Sequence, residues 1–237
     1  MNYYFITGTS SGIGNAIVKE LLQSENNFVF GFSRRNDINN NSFKHTKIDL
    51  SDLIQVSGFS FPNLKNVEKI VLINNAGTLG EIKHFGNLSS SDIITSFNVN
   101  ITSVAILTNS FIKKYQDENT EKIIINISSG AAQKAYDGWG SYCTTKAGIN
   151  MLTEVIDKEQ AFKGFPIKTF AIAPGVVDTL MQTQIRNSNE TDFSNIEKFH
   201  KLKSSKALYL AEDVAKQLVS FCENTDYING LISRIEF

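Results

Sequence analysis

The sequence is short of whatever would staple, anchor or recruit by charge. Two cysteines, Cys143 and Cys222, stand far apart in 237 residues. A secreted disulfide framework shows more cysteines at closer spacing, so a reducing compartment is expected. No apolar run approaches the ~20 residues of a membrane span. The opening Met1-Asn2-Tyr3-Tyr4 has neither the basic nor the long apolar stretch of a signal peptide, so the expectation is a soluble, cytoplasmic protein with no membrane partner. Charge nearly cancels, with 23 basic against 24 acidic residues and no long run of one sign, which argues against a nucleic-acid partner. His45, His84 and His200 lack ligand spacing and no Cys/His cluster exists, so no metal site is expected. The three prolines form no linker and no repeat is visible, so residues 1–237 read as one domain. A hydrophobic share of 41% and a charged share of 20% are those of a globular chain, long enough to bury a core without covalent help.

Strand-like and helix-like segments alternate throughout. Short apolar runs at 3–7, 28–32, 44–50, 69–73, 123–127, 167–173 and 231–235 read as about seven strands. Several are apolar on both faces, as in a parallel sheet covered by helices on each side. Helical patterns occupy about 12–22, 89–116, 140–163 and 211–223. This alternation predicts an α/β fold with a doubly wound parallel sheet. Between residues 50 and 69 there is room only for a short helix, interrupted by Gly58 and Pro62. Residues 178–206 are long, polar and dotted with Met181, Ile185, Phe193, Ile196 and Phe199, which suggests a substrate-covering loop; a surface helical hairpin without a role is the alternative.

Thr7-Gly8-Thr9-Ser10-Ser11-Gly12-Ile13-Gly14 lies directly after the first strand and opens a helix. Glycines there permit a tight turn and close backbone approach to a pyrophosphate, and the helix start offers free N–H donors. Gly8, Ser10, Ser11, Gly12, Ile13 and Gly14 are therefore candidate dinucleotide-binding residues. About 20 residues on, an acid would accept from the ribose 2′-hydroxyl of NAD. Here Ser33-Arg34-Arg35 stands instead, and a guanidinium fork suits a 2′-phosphate, which favours NADPH (NADP) over NADH.

The fifth strand runs into Ser128-Ser129, and Tyr142-Cys143-Thr144-Thr145-Lys146 follows. Tyr142 and Lys146 lie one helical turn apart on one face. A phenol titrates near ~10, and an adjacent cation brings it down, so it can exchange a proton with a carbonyl or alcohol oxygen. Ser129 can hydrogen-bond the same oxygen. Cys143, pointing ~100° away from Tyr142, reads as packing.

Together these residues resemble the short-chain dehydrogenase/reductase family, over nearly the whole chain. The likeness rests on Thr7–Gly14, Asn74-Asn75-Ala76-Gly77, Phe97-Asn98-Val99-Asn100, the Ser129/Tyr142/Lys146 set and Pro174-Gly175-Val176-Val177-Asp178-Thr179. It implies a Rossmann-like fold and a catalytic tetrad of Asn100, Ser129, Tyr142 and Lys146. Tyr142 would donate the proton, Lys146 would hold the nicotinamide ribose and lower the tyrosine pKa, Ser129 would orient the carbonyl, and Asn100 would support a water beside the lysine. Asp49 and Leu50 would touch the adenine. Asn75, Ala76 and Gly77 would flank the adenine-side ribose. Pro174, Gly175, Val177 and Thr179 would hold the nicotinamide end.

The stretches Gly138-Trp139-Gly140-Ser141-Tyr142 and Met181-Gln182 are similar to a branch of bacterial benzil reductases, themselves resembling sepiapterin reductase. That branch implies NADPH-dependent reduction of a small carbonyl substrate such as a diketone. Tyr136, Trp139, Asp178 and Met181 are its candidate substrate contacts. The resemblance also implies a homodimer or homotetramer paired through helices near 97–116 and 142–163. Ser11 stands where many NADPH users carry a basic residue, which leaves more of the phosphate to Arg34. A non-catalytic NADPH-sensing protein and an alcohol dehydrogenase working oxidatively remain alternatives at this level, since fold alone does not prove catalysis.

Overall fold

The computed structural model describes all 237 residues. Seven parallel strands form one sheet: β1 Asn2–Thr7, β2 Asn27–Ser33, β3 Phe43–Lys47, β4 Lys69–Asn74, β5 Glu121–Ile127, β6 Lys168–Ala173 and β7 Ile232–Arg234. Their spatial order is β3-β2-β1-β4-β5-β6-β7. The order reverses between β1 and β4, and in such sheets ligands bind outside the carboxyl ends at this switch.

The strands were legible as apolar runs because both faces are covered. On one face, α1 (Gly12–Leu21) presents Ile17, Val18 and Leu21. These join Val214, Leu218 and Val219 of a C-terminal helix, Ala211–Glu223, over Tyr4, Ile6 and Val71. The other face packs Phe5, Phe32 and Leu72 against Val56 of α2 (Leu53–Gly58) and Leu107, Phe111 and Tyr115 of a longer helix. Phe5 meets Phe61 edge-on at 4.9 Å and stacks on Phe30 at 4.7 Å, geometries aromatic rings favour.

The expected helix over 89–116 is α3 (Ser90–Phe97) and α4 (Ser103–Tyr115) joined through one π-helical stretch, Asn98–Thr102. Ser89 starts it by accepting from the Asp92 N–H at 3.2 Å, an ordinary N-cap. The 21-residue α5 (Gly140–Gln160) follows. A buried polar ladder locks these helices to the sheet: Asn74 Nδ2 donates to Asn126 Oδ1 at 2.8 Å and to Thr108 Oγ1 at 3.1 Å, and Asn126 Nδ2 donates to Thr153 Oγ1 at 2.9 Å.

Residues 178–206 hold two short helices, α6 (Leu180–Arg186) and α7 (Ile196–Ser204); the helix Ala211–Glu223 is thus α8. The third strand ends at Lys47, short of the expected residue 50. Asp49 bends the chain by accepting from the Ser51 N–H (2.9 Å) and hydroxyl (2.7 Å).

Candidate active site

A cleft of about 670 Å³ runs along the carboxyl ends of the strands at the β1/β4 switch. Its floor is the turn after β1. Gly8 and Gly12 take φ of +75° and +55°, a region that L side chains rarely adopt. Gly14 is needed for contact: a Cβ there would fall 2.3 Å from the Gly8 carbonyl oxygen and 2.4 Å from Asn75 Nδ2.

The turn is bolted to β4 by Thr7, a residue of the glycine motif to which the sequence assigned no role of its own. Thr7 Oγ1 accepts from the N–H groups of Asn75 and Ala76, each at 3.0 Å, and Asn75 Nδ2 donates to the Thr7 carbonyl at 2.9 Å. The N-cap residue Ser11 makes no side-chain cap bond. The first-turn N–H groups of α1 therefore stay free to meet an anion.

Gly8, Ser10, Ser11, Gly12 and Ile13 line the cleft, as do Ser33, Arg34, Asp49, Leu50, Asn75, Ala76 and Gly77. Ser33 is tied down. It donates to the Arg35 carbonyl at 2.6 Å, with Thr9 Oγ1 at 3.2 Å and His45 Nε2 at 2.9 Å around it. Arg35 points elsewhere: it is exposed and outside the cleft, leaving Arg34 as the guanidinium on this wall. Four cations (Arg34, Lys146, Lys198 and Arg234) but only one carboxylate (Asp49) line the cleft, a balance suited to an anionic ligand.

At the other end stand Ser129, Tyr142 and Lys146, with Pro174, Gly175, Val177 and Thr179 closing the side. Lys146 is 4% exposed and donates to the Ile127 carbonyl at 2.6 Å. With no carboxylate nearby, burial holds its ammonium down to about 8. Its nitrogen lies 5.8 Å from the centre of the Tyr142 ring. The lysine was expected to lower the phenol. In the protein alone burial dominates and raises the Tyr142 pKa, with the Ser129 hydroxyl pulling partly back. Ser129 Oγ accepts from the Ala131 N–H at 3.1 Å, which leaves its own proton to donate.

Asn100 sits in the π-helical stretch, 1% exposed and behind the cleft wall. Its carboxamide grips Thr78, accepting from the N–H and donating to the carbonyl, both at 2.8 Å, and also donates to Thr145 Oγ1 at 3.2 Å. A Cβ at Gly77 would lie 3.5 Å from Asn100 Oδ1 and 3.6 Å from Lys146 Nζ, so both groups border the same small space.

The end of the cleft beside Tyr142 is apolar. Trp139 stacks on Phe193 (4.8 Å between centroids) and meets Tyr142 edge-on at 5.9 Å. Leu79, Ala131, Ile185, Ile196 and Phe199 complete this cluster, with Tyr136, Met181 and Cys143 packed against it. Residues 178–206 thus pack over the tyrosine. Asp137 pins the segment by accepting from the Ser194 N–H at 2.7 Å and hydroxyl at 2.9 Å. Tyr136, Trp139 and Met181 line the cleft; Asp178 does not. Its carboxylate pairs with Lys203 at 2.6 Å on the outer side, which corrects the expectation of a substrate contact.

No helix is long and apolar enough to cross a membrane, and no cluster of three metal-ligating side chains is present.

A family model described as short chain dehydrogenase matches residues 2–190. Benzil reductase ((S)-benzoin forming) of Bacillus cereus is 40% identical over 250 aligned residues, covering 100% of both chains. The Bacillus subtilis (strain 168) protein of the same name is 34% identical, with 94% of each chain covered. The sepiapterin reductase of Mus musculus is 32% identical over 71% of this chain and 64% of its own. A solved short chain dehydrogenase/reductase from Saccharomyces cerevisiae superposes with a TM-score of 0.84 at 22% identity, over 99% of this chain and 96% of that one, a likeness of fold. The chain belongs to the short-chain dehydrogenase family of oxidoreductases, built on a Rossmann-like fold.

Proposed function

We propose that this protein is an NADPH-dependent carbonyl reductase acting on a small ketone or diketone. The observation that carries the proposal is the meeting, in one cleft, of the glycine turn with its free helix N–H groups and the Ser129/Tyr142/Lys146 set. The full-length likeness to benzil reductases supports a diketone-like substrate class.

The pyrophosphate would lie against Ser10, Ser11, Gly12 and Ile13, and Arg34 would take the 2′-phosphate. Asp49, Leu50, Asn75, Ala76 and Gly77 would border the adenosine half, and Pro174, Gly175, Val177 and Thr179 the nicotinamide half. When bound, the reduced nicotinamide supplies the hydride that adds to the carbonyl carbon. Ser129 Oγ–H orients the carbonyl oxygen. Tyr142 gives its proton to that oxygen as the alcohol forms. A phenol raised by burial stays protonated through neutral pH, as an acid must. Lys146 stabilises the developing phenolate, and the space it shares with Asn100 offers a route for the proton to return. Tyr136, Trp139 and Met181 wall the substrate, and the 178–206 segment shields it from water. We further propose that the chain pairs as a homodimer or homotetramer through α4 and α5, where Met151 and Val155 are exposed.

Following reduced-nicotinamide absorbance over a carbonyl panel, with NADPH and NADH in parallel, tests the assignment. NADPH oxidation with a diketone is expected. Tyr142→Phe should lower turnover by about 10²- to 10⁴-fold while leaving NADPH binding intact; full activity of that variant would overturn the assignment.

A further inference from the structure

One histidine reaches the cofactor end of the cleft from behind its wall. His45 stands on β3, paired in register with Gly31 of β2. It does not line the cleft, but Ser33, two residues beyond Gly31, does. His45 Nε2 lies 2.9 Å from the Ser33 hydroxyl oxygen and 3.1 Å from the Ser33 carbonyl oxygen. A carbonyl only accepts, so the proton sits on Nε2 and the imidazole donates to both. Gly31 keeps this corner open: a Cβ there would fall 2.9 Å from Thr9 Oγ1.

These contacts saturate Ser33. Its one proton goes to the Arg35 carbonyl at 2.6 Å. Thr9 Oγ1, 3.2 Å away, is then the donor of its own contact, and the imidazole is the second donor. A hydroxyl has one proton and two lone pairs, and all three are engaged within the protein. Ser33 therefore has nothing left for a ribose 2′-hydroxyl or a phosphate oxygen. It holds the Arg35 carbonyl, two residues on, across the bend at Arg34. Arg34 is exposed and is the guanidinium on this wall, so the backbone beneath it sets its direction.

We infer that His45 is a positioning residue for cofactor choice: through Ser33 it fixes the backbone that aims Arg34 at the 2′-phosphate of NADPH. This rests on the NADPH reading and deepens it. The imidazole touches no part of the dinucleotide, yet it governs how well one of the two dinucleotides is held. An arginine on a fixed backbone loses less freedom when the phosphate arrives than one on a loose bend, so its contact is worth more.

The test measures dissociation constants for NADPH and NADH by nicotinamide fluorescence, and kcat for benzil at saturating NADPH. His45→Leu removes the donor at similar bulk, and His45→Gln returns an N–H at nearly the same reach. Each variant is first shown to melt cooperatively. His45→Leu should weaken NADPH by about 10-fold, the worth of about one hydrogen bond, and leave NADH within about 2-fold. Its kcat at saturating NADPH should match wild type, and His45→Gln should recover most of the NADPH affinity. Ser33→Ala should show the same selective loss, and it carries the test if His45→Leu fails to fold. His45→Leu added to Ser33→Ala should weaken NADPH no further, because the histidine acts through the hydroxyl. Equal losses for both dinucleotides, no loss for either, or additive losses in the double variant would overturn the inference while leaving the NADPH reading standing. Wild type that binds NADH as tightly as NADPH would overturn the NADPH reading, and this inference with it.

Discussion

Lys146 should leave a measurable mark on folding. Its ammonium is enclosed with a carbonyl partner and no counter-charge, and its pKa drops from 10.5 to about 8. Below about 8 the group is protonated in the folded and the unfolded chain alike, and folding bears the full cost of burying the charge. Between about 8 and 10.5 the unfolded chain keeps a proton that the folded one has released, so stability climbs with pH. Above that range both are neutral and the cost is gone. At about 1.4 kcal/mol per pH unit, the gap corresponds to about 3 kcal/mol in all, of which about 2 kcal/mol falls between pH 7 and 9.5.

Other groups titrate in the same range, so the informative quantity is a difference. Urea unfolding of wild type and Lys146→Met, at pH 7 and at pH 9.5, yields two stability changes. Wild type should gain about 2 kcal/mol relative to the variant over that interval. The subtraction removes the fixed effects of the substitution, including the Ile127 carbonyl left without its donor. A wild-type-minus-variant difference that stays level across the interval would refute the claim that burial alone sets this lysine.

Other outcomes follow from the same geometry. Carbonyl reduction should hold through neutral pH and decline above about 8 as Lys146 loses its charge, which a kcat/KM profile reads directly. Arg34→Asp should weaken NADPH by about 1–3 kcal/mol and improve NADH relative to it, measured by the two KM values. Gly14→Ala, whose Cβ meets the Gly8 carbonyl at 2.3 Å, should abolish cofactor binding or folding, as titration with NADPH and thermal melting will show. Gly138→Ala should act only at the substrate end. Its φ is +71° and a Cβ would lie 2.2 Å from the Asp192 carbonyl, so the KM for the carbonyl should rise about tenfold with NADPH affinity unchanged.

The half of the molecule that handles a cofactor was readable in the sequence, because its demands are local. Gly8 and Gly12 are needed for backbone sign, Gly14 for close contact, and the strand–turn–helix order declares the site. Tyr142 and Lys146 were readable for the same reason, four residues apart on one helix. The Thr7 bolt was hidden, since a threonine ending a strand is unremarkable until Asn75 arrives from 68 residues away. So was the fate of Asp178, which depended on Lys203 in a later helix. The helices at 180–186 and 196–204 are short, and their apolar spacing (Met181 with Ile185; Ile196, Phe199 and Leu202) does not say which surface they cover. Phe193 and Phe199 gain their meaning only against Trp139.

That division has a physical consequence. The glycine turn, the Thr7–Asn75 bolt and the Lys146–Ile127 bond each set one particular residue against a backbone group, so few substitutions there preserve them. The substrate wall is made of side chains from Trp139, Phe193, Phe199 and α6, held over Tyr142 by packing and by the Asp137–Ser194 bonds. A side-chain wall of this kind can change shape or polarity at one position without disturbing the turn beneath it. Changes of substrate in this protein should therefore accumulate in residues 136–139 and 181–199. Loss of chemistry should follow from single changes at Tyr142, Lys146 or Gly14.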